Sequence, residues 1–138
     1  MHTCIRLGIW AFMVVWISCG SPSGTPQSNG QSAGEARISW DDTLADLGTL
    51  KEGTEVEHTF TFKNTGSTDV VIQQAIPSCG CTIASIPDKP VHPAQQGHVV
   101  VHFRTAGQLG EQIKQITIVC NAHPAKQYLY LKARIIQQ

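Results

Sequence analysis

From Arg37 onward the apolar residues fall mostly at every second position and turn residues interrupt them, which is the period of strands that bury one face. Ile38 and Trp40 open a short strand, and Leu44, Leu47 and Leu50 continue the pattern to a turn at Lys51-Glu52-Gly53. Val56, His58, Phe60 and Phe62 alternate with Glu57, Thr59, Thr61 and Lys63 along a longer strand that Asn64-Thr65-Gly66-Ser67 closes. A strand from Val70 to Ile76 stops at Pro77. After a cysteine segment and a stretch broken by Pro87, Pro90 and Pro93, another strand runs from His98 to Phe103. Ile113 to Cys120 and Tyr128 to Ile136 supply the last two, and no window recurs at helical spacing. About seven short strands, with a turn roughly every ten residues, predict an all-β chain: an antiparallel two-layer β-sandwich of immunoglobulin type. Trp40, Phe60, Phe62, Phe103, Tyr128 and Tyr130 are its expected aromatic core. No tryptophan lies between Cys79 and Cys120, so the Cys, Trp and Cys spacing of antibody domains is absent and packing must hold the layers.

The amino-terminal stretch follows a different pattern. One charge, Arg6, precedes an apolar run from Leu7 to Ile17. That is the length of a signal-peptide core and well short of the roughly 20 residues that span a bilayer. Trp16-Ile17-Ser18-Cys19-Gly20 resembles a bacterial lipobox, in which a small residue precedes the cysteine that receives a diacylglyceryl thioether; Trp16 stands where leucine is usual. The segment from Gly20 to Ala36 is almost wholly Gly, Ser, Pro, Gln, Asn and Ala, a composition that buries no core and acts as a flexible tether. Residues 1–18 are therefore expected to be a lipoprotein signal peptide, 19–36 the lipidated Cys19 with its linker, and 37–138 the domain. Loss of residues 1–18 leaves 9 basic and 10 acidic side chains, a charge of −1 with no pull toward anionic lipid. Anchoring then falls to the acyl chains, at about 0.8 kcal/mol per buried CH₂.

Composition narrows the function. A chain of 138 residues, 41% hydrophobic, accommodates one ordinary domain. Lys plus Arg and Asp plus Glu number 10 each, and no basic stretch interleaves with aromatics, so the counterion-releasing surface of a nucleic-acid binder is missing. No Ser, His and Asp arrangement, paired carboxylates or Gly-rich phosphate loop appears, which makes an enzyme the weaker class.

The candidate chemistry is Ser78-Cys79-Gly80-Cys81-Thr82. Residues i and i+2 of an extended segment face one side, and Gly80 permits close backbone approach, so both sulfurs can point together. Three readings stand. The pair holds a soft metal, Cu(I) ahead of Zn(II), because zinc needs more than two ligands. None of His58, His92, His98, His102 and His123 shows a recognisable ligand spacing to the cysteines. Alternatively, Cys79 and Cys81 close a small disulfide that gains little entropy and serves as a labile exchange partner. In the third reading one cysteine is a small buried hydrophobe in a turn that Gly80 shapes. A thiol activity also needs a depressed pKa, usually supplied by a cation or a helix end, and the chain offers no helix.

Other polar residues have plain readings. His98 and His102 share the face opposite Val99, Val101 and Phe103 and are expected in solvent. His58, in register with Phe60 and Phe62, is expected partly buried and hydrogen-bonded, and Cys120 is expected in the core with Ile116 and Ile118. Asp41, Asp42 and Asp46 lack calcium-loop spacing and read as a solvated turn.

Asp46-Leu47-Gly48, Phe60-Thr61-Phe62-Lys63-Asn64-Thr65-Gly66, Ser78-Cys79-Gly80-Cys81-Thr82, Pro93 with Gly97, then Gly110 and Asn121, together resemble the bacterial family catalogued as domain of unknown function 1573. The resemblance covers about Ile38 to Ile136 and rests most on Cys-Gly-Cys-Thr. It implies an immunoglobulin-like domain of the ASH and sperm-protein type, often with a lipoprotein signal, and it brings no activity. Pro93-Ala94 stands where the family has Pro-Gly, so that turn is expected to be tightened differently. The expected protein is a non-catalytic lipoprotein of a Gram-negative envelope, anchored to the membrane, with the outer membrane as its expected seat. No acidic run after Cys19 supports surface display, so the domain is expected to face the periplasm. There it binds or assembles with another envelope protein through strand edges or loops. The alternative is a Cu(I)-binding or thiol-exchange protein centred on Cys79 and Cys81.

Overall fold

The computed structural model describes residues 34–137. Cys19, the expected signal peptide and residues 19–33 of the expected linker lie outside the described residues. Eight strands follow one another: β1 Ile38–Trp40, β2 Leu44–Lys51, β3 Glu55–Asn64, β4 Ile72–Pro77, β5 Thr82–Ser85, β6 Gln96–Arg104, β7 Gly110–Cys120 and β8 Lys126–Ile136, with no helix among the described residues. They form two 4-stranded sheets, β1-β3-β6-β5 and β2-β8-β7-β4. The expected all-β sandwich is present. Every pairing is antiparallel except β2 with β8, which run parallel.

Period-two alternation builds the core. Phe60 and Phe62 on β3, Val99, Val101 and Phe103 on β6, Ile116 and Ile118 on β7, and Leu129 and Leu131 on β8 are all buried between the sheets. Burying each large apolar side chain stabilises the fold by about 1.5–3 kcal/mol. Trp40 packs tilted on Phe62, with ring centroids 5.0 Å apart, and its indole N–H donates to the Gln127 carboxamide, so β1 of one sheet is tied to β8 of the other. The two tyrosines differ from expectation. Tyr128 and Tyr130 pair with Thr117 and Gln115 on the outer face, because Leu129 and Leu131 take the inward register of β8.

Two buried polar side chains pin opposite ends of the sandwich. Asn64, at the end of β3, is 0% exposed and fully hydrogen-bonded, and Thr105, just beyond β6, is also 0% exposed. The Thr105 hydroxyl accepts from the Thr54 amide at 2.8 Å and lies 2.9 Å from the carbonyls of Lys51 and Thr54. His58 departs from the expected hydrogen bonding: its ring stands edge-on to Phe60, and its buried Nε2 has no partner among the described residues. Cys120 is buried and free, as its register predicts.

Candidate functional site

The cysteine segment sits where the chain leaves one sheet for the other. β4 is the edge of the sheet β2-β8-β7-β4, β5 is the edge of β1-β3-β6-β5, and residues 78–81 make the crossing. Both flanks are pinned. The Ser78 amide donates to the Gln115 carbonyl at 2.8 Å, and the Ser78 hydroxyl accepts from the Gln115 amide at 3.2 Å, which holds the entry on β7. The Cys81 carbonyl accepts from the Arg104 amide at 2.9 Å, which holds the exit on β6.

Cys79 and Cys81 are joined in a disulfide, with their Cα atoms 5.3 Å apart. Both are half-buried. Cys81 packs against the core cluster, whereas Cys79 is not among the residues packed on it. Thr82, only 3% exposed, places its hydroxyl 3.6 Å from Cys79 Sγ and 3.8 Å from Cys81 Sγ. A Cβ built on Gly80 would meet nothing within 4 Å, so the tip of the loop opens to solvent.

The bridge takes both sulfurs out of the thiolate form that a soft metal requires. Among the described residues no three His, Cys, Asp or Glu side chains gather as a metal set. Three of the histidines are engaged singly elsewhere: His92 with Asp69 at 2.8 Å, His98 with the Thr61 hydroxyl at 3.2 Å, and His102 with Glu57 at 3.5 Å. His98 and His102 share the exposed face, as their register predicts. Of the aspartates, Asp46 accepts from the Gly48 amide at 2.9 Å and pairs with Lys132 at 3.8 Å, holding the irregular middle of β2.

The two outer faces of the sandwich are unlike. On β1-β3-β6-β5 the outward rows pair Glu55 with Arg104, Glu57 with His102, Thr61 with His98 and Lys63 with Gln96. On β2-β8-β7-β4, Ile76, Thr117 and Tyr128 align across three strands, and the adjoining row holds Gln115, Tyr130 and Leu44. Ile113 sits in the next row, opposite Lys132. Leu44 is 54%, Ile76 50%, Ile113 66% and Tyr128 46% exposed. A pattern search for buried residues passes over this face, because its apolar residues belong to the outward register.

Fold and site together define an all-β, immunoglobulin-like sandwich with a disulfide at the crossing between its sheets. The chain belongs to the family described as Protein of unknown function (DUF1573), which matches residues 38–135. None of the curated proteins matches it. A protein of unknown function from Porphyromonas gingivalis is similar in structure, with a TM-score of 0.64 at 15% identity over 72% of this chain and 47% of that one. The ASH/PapD-like domain 7 of human CEP192 gives 0.58 at 14% identity, over 75% of this chain and 88% of that one. The Escherichia coli chaperone DraB gives 0.53 at 14% identity, over 72% and 56%. This chain thus spans about half the length of the first and the last of them, and identities this low establish the fold alone.

Proposed function

We propose that this is a non-catalytic binding module of the bacterial envelope, lipid-anchored through Cys19 and facing the periplasm, that seats another envelope protein on the outer face of β2-β8-β7-β4. The observation that carries the reading is the contrast between the two outer faces. One is mostly paired charge and hydroxyl, with half-buried Val100 opposite Thr59 and exposed Ile83 on its edge strand as its apolar residues, while the other presents Leu44, Ile76, Ile113 and Tyr128 in adjoining rows. An aromatic and aliphatic patch with arginine and lysine at its border has the composition of a protein contact surface.

The edges are poorer docking sites than sequence alone suggests. β1 has 3 residues and β5 has 4, β4 carries a register shift and ends in Pro77, and β2 is broken between Asp46 and Thr49. Short, irregular edges of this kind resist strand addition. On the apolar face, Lys126, Lys132 and Arg134 outnumber Asp46 and Glu111, which lie opposite Lys132 and Arg134. The partner is therefore a protein whose apolar contact is bordered by acidic side chains. A chaperone among the structural neighbours is in keeping with a role in holding other chains.

Site-specific photo-crosslinking in cells tests this. A photoreactive residue at position 128 is expected to capture one reproducible envelope protein, and the same residue at Thr59, on the polar face, to capture none. Equal capture from both positions, or none from position 128, rejects the reading. Labelled palmitate that enters the wild-type chain but not Cys19→Ser tests the anchor separately.

A further inference from the structure

We propose that the Cys79 to Cys81 bridge is a thiol–disulfide exchange site that oxidises a protein dithiol, one bridge per chain. Four features meet at this corner. The bridge closes a loop of only one intervening residue, so chain entropy holds it shut weakly compared with a structural disulfide spanning a long loop. Gly80 is exposed with open space where a Cβ would stand, and both cysteines beside it are only half-buried, so an incoming chain can meet the tip of the loop. The hydroxyl of buried Thr82 lies within 4 Å of both sulfur atoms. Finally, Ser78 on β7 and Cys81 on β6 fasten the loop to both sheets through main-chain hydrogen bonds. Opening the bridge therefore leaves the strands where they are.

Cys79, the cysteine not packed on the core cluster, is the point of attack. A partner thiolate bonds to Cys79 Sγ as the Sγ–Sγ bond breaks, and the electron pair leaves on Cys81 Sγ, the sulfur packed toward the core. Leaving groups of lower pKa depart faster, and a hydroxyl donating to a thiolate lowers its pKa. Thr82 Oγ1, 3.8 Å from Cys81 Sγ and 3.6 Å from Cys79 Sγ, is placed to donate to whichever sulfur departs, Cys81 in the first step and Cys79 in the second. The partner's second thiolate then attacks the partner's own sulfur in the mixed disulfide, closing the partner's disulfide and releasing Cys79 as a thiolate. Both thiolates take protons from water. The net transfer is two electrons from the partner dithiol to the bridge. Buried Cys120 stands on β7 opposite Ile72, at the far end of β4 from Pro77, and takes no part. This inference holds whether or not the outer sheet face carries a partner.

The test uses the full chain, purified in detergent and mixed with a reduced two-cysteine peptide at neutral pH, then quenched in acid, alkylated and read by mass spectrometry. One peptide disulfide is expected to appear for each Cys79 to Cys81 bridge lost. A peptide with a single cysteine, which cannot close a disulfide of its own, is expected to accumulate as a mixed disulfide on Cys79 of the wild-type chain, with Cys81 alkylated. Thr82→Val, of the same shape, is expected to slow exchange roughly tenfold, the loss of one hydrogen bond to a thiolate, with Thr82→Ser restoring it. A bridge that stays closed in excess peptide, or a one-cysteine peptide found on Cys81 rather than Cys79, overturns the proposal. So does an undiminished rate in folded Thr82→Val.

Discussion

Asn64 at the end of β3 and Val91, 27 residues further on, are tied by a hydrogen bond of 2.8 Å from the carboxamide N–H to the main-chain carbonyl. The same nitrogen donates to the Thr68 carbonyl at 2.8 Å, and Oδ1 accepts from the Gly66 amide at 2.9 Å. One side chain thus knits the turn after β3 to the loop before β6. Asn64 itself is fully buried, and although the Val91 carbonyl keeps the Val70 amide at 2.9 Å, the Thr68 carbonyl and the Gly66 amide lose their carboxamide partner and a cavity is left in the core. Asn64→Ala is expected to cost about 3 kcal/mol, read as a lower urea midpoint with an unchanged slope.

Ala94 is the non-glycine residue with positive φ among those described, at 66°. The Gln95 amide donates to the His92 carbonyl at 3.0 Å, so residues 92–95 form a turn with Pro93 second and Ala94 third, the arrangement of a type II turn. Left-handed backbone costs an L-residue about 1–2 kcal/mol, while the added freedom of glycine in the unfolded chain costs about 0.4–1 kcal/mol. Ala94→Gly is therefore expected to stabilise the domain by about 0.5–1 kcal/mol, seen as a raised melting temperature.

Burial raises the pKa of the Cys120 thiol above its ordinary value of 9.0. Between the unfolded and the folded pKa the native state holds a proton that the unfolded state has lost. The stability this group contributes is complete below 9.0 and is lost as pH rises through the folded pKa. Wild-type protein is expected to lose more stability from neutral to alkaline pH than Cys120→Ala does. Parallel slopes in a urea titration at each pH sink the assignment.

Replacing both Cys79 and Cys81 by Ser is expected to leave the domain folded. Closure of a three-residue loop contributes about 1.6 kcal/mol in the chain-entropy relation, the upper bound for the loss. Calorimetry of the double variant measures it, and a collapse of the transition would mean that the bridge, rather than Ser78 and the Cys81 carbonyl, positions the corner.

Much of this architecture can be read from residue order. The alternation of Val56 to Phe62 and of Val99 to Phe103 locates β3 and β6 and their buried faces, and the outward histidines follow from the same register. The family resemblance rests on residues that the fold uses, Asn64 and Gly97 among them. A Cβ on Gly97 would press into the Phe62 ring and stand 2.9 Å from Val91 Cγ2. Elsewhere the pattern misleads. β5 is hidden because it inverts the usual rule, with Thr82 buried and Ile83 exposed. The tyrosines of β8 are drawn outward because the leucines between them claim the core. Ala94 takes the conformation its glycine counterpart would, since Pro93 and the hydrogen bonds on either side set the turn. The three readings of the cysteine pair share one spacing, and the closed bridge with its pinned flanks on β7 and β6 comes from tertiary placement that the spacing does not encode.

The strand made last, β8, lies between β2 and β7 rather than at a border. A ribosome that has reached Cys120 has produced a chain in which β2 still lacks its neighbour and β7 has only β4. The long-range pairing that completes the layer arrives only with β8, and such contacts form slowly. A stop codon placed after Cys120 looks like a trim, yet it removes the middle plank of a wall and delivers its remaining boards to proteases.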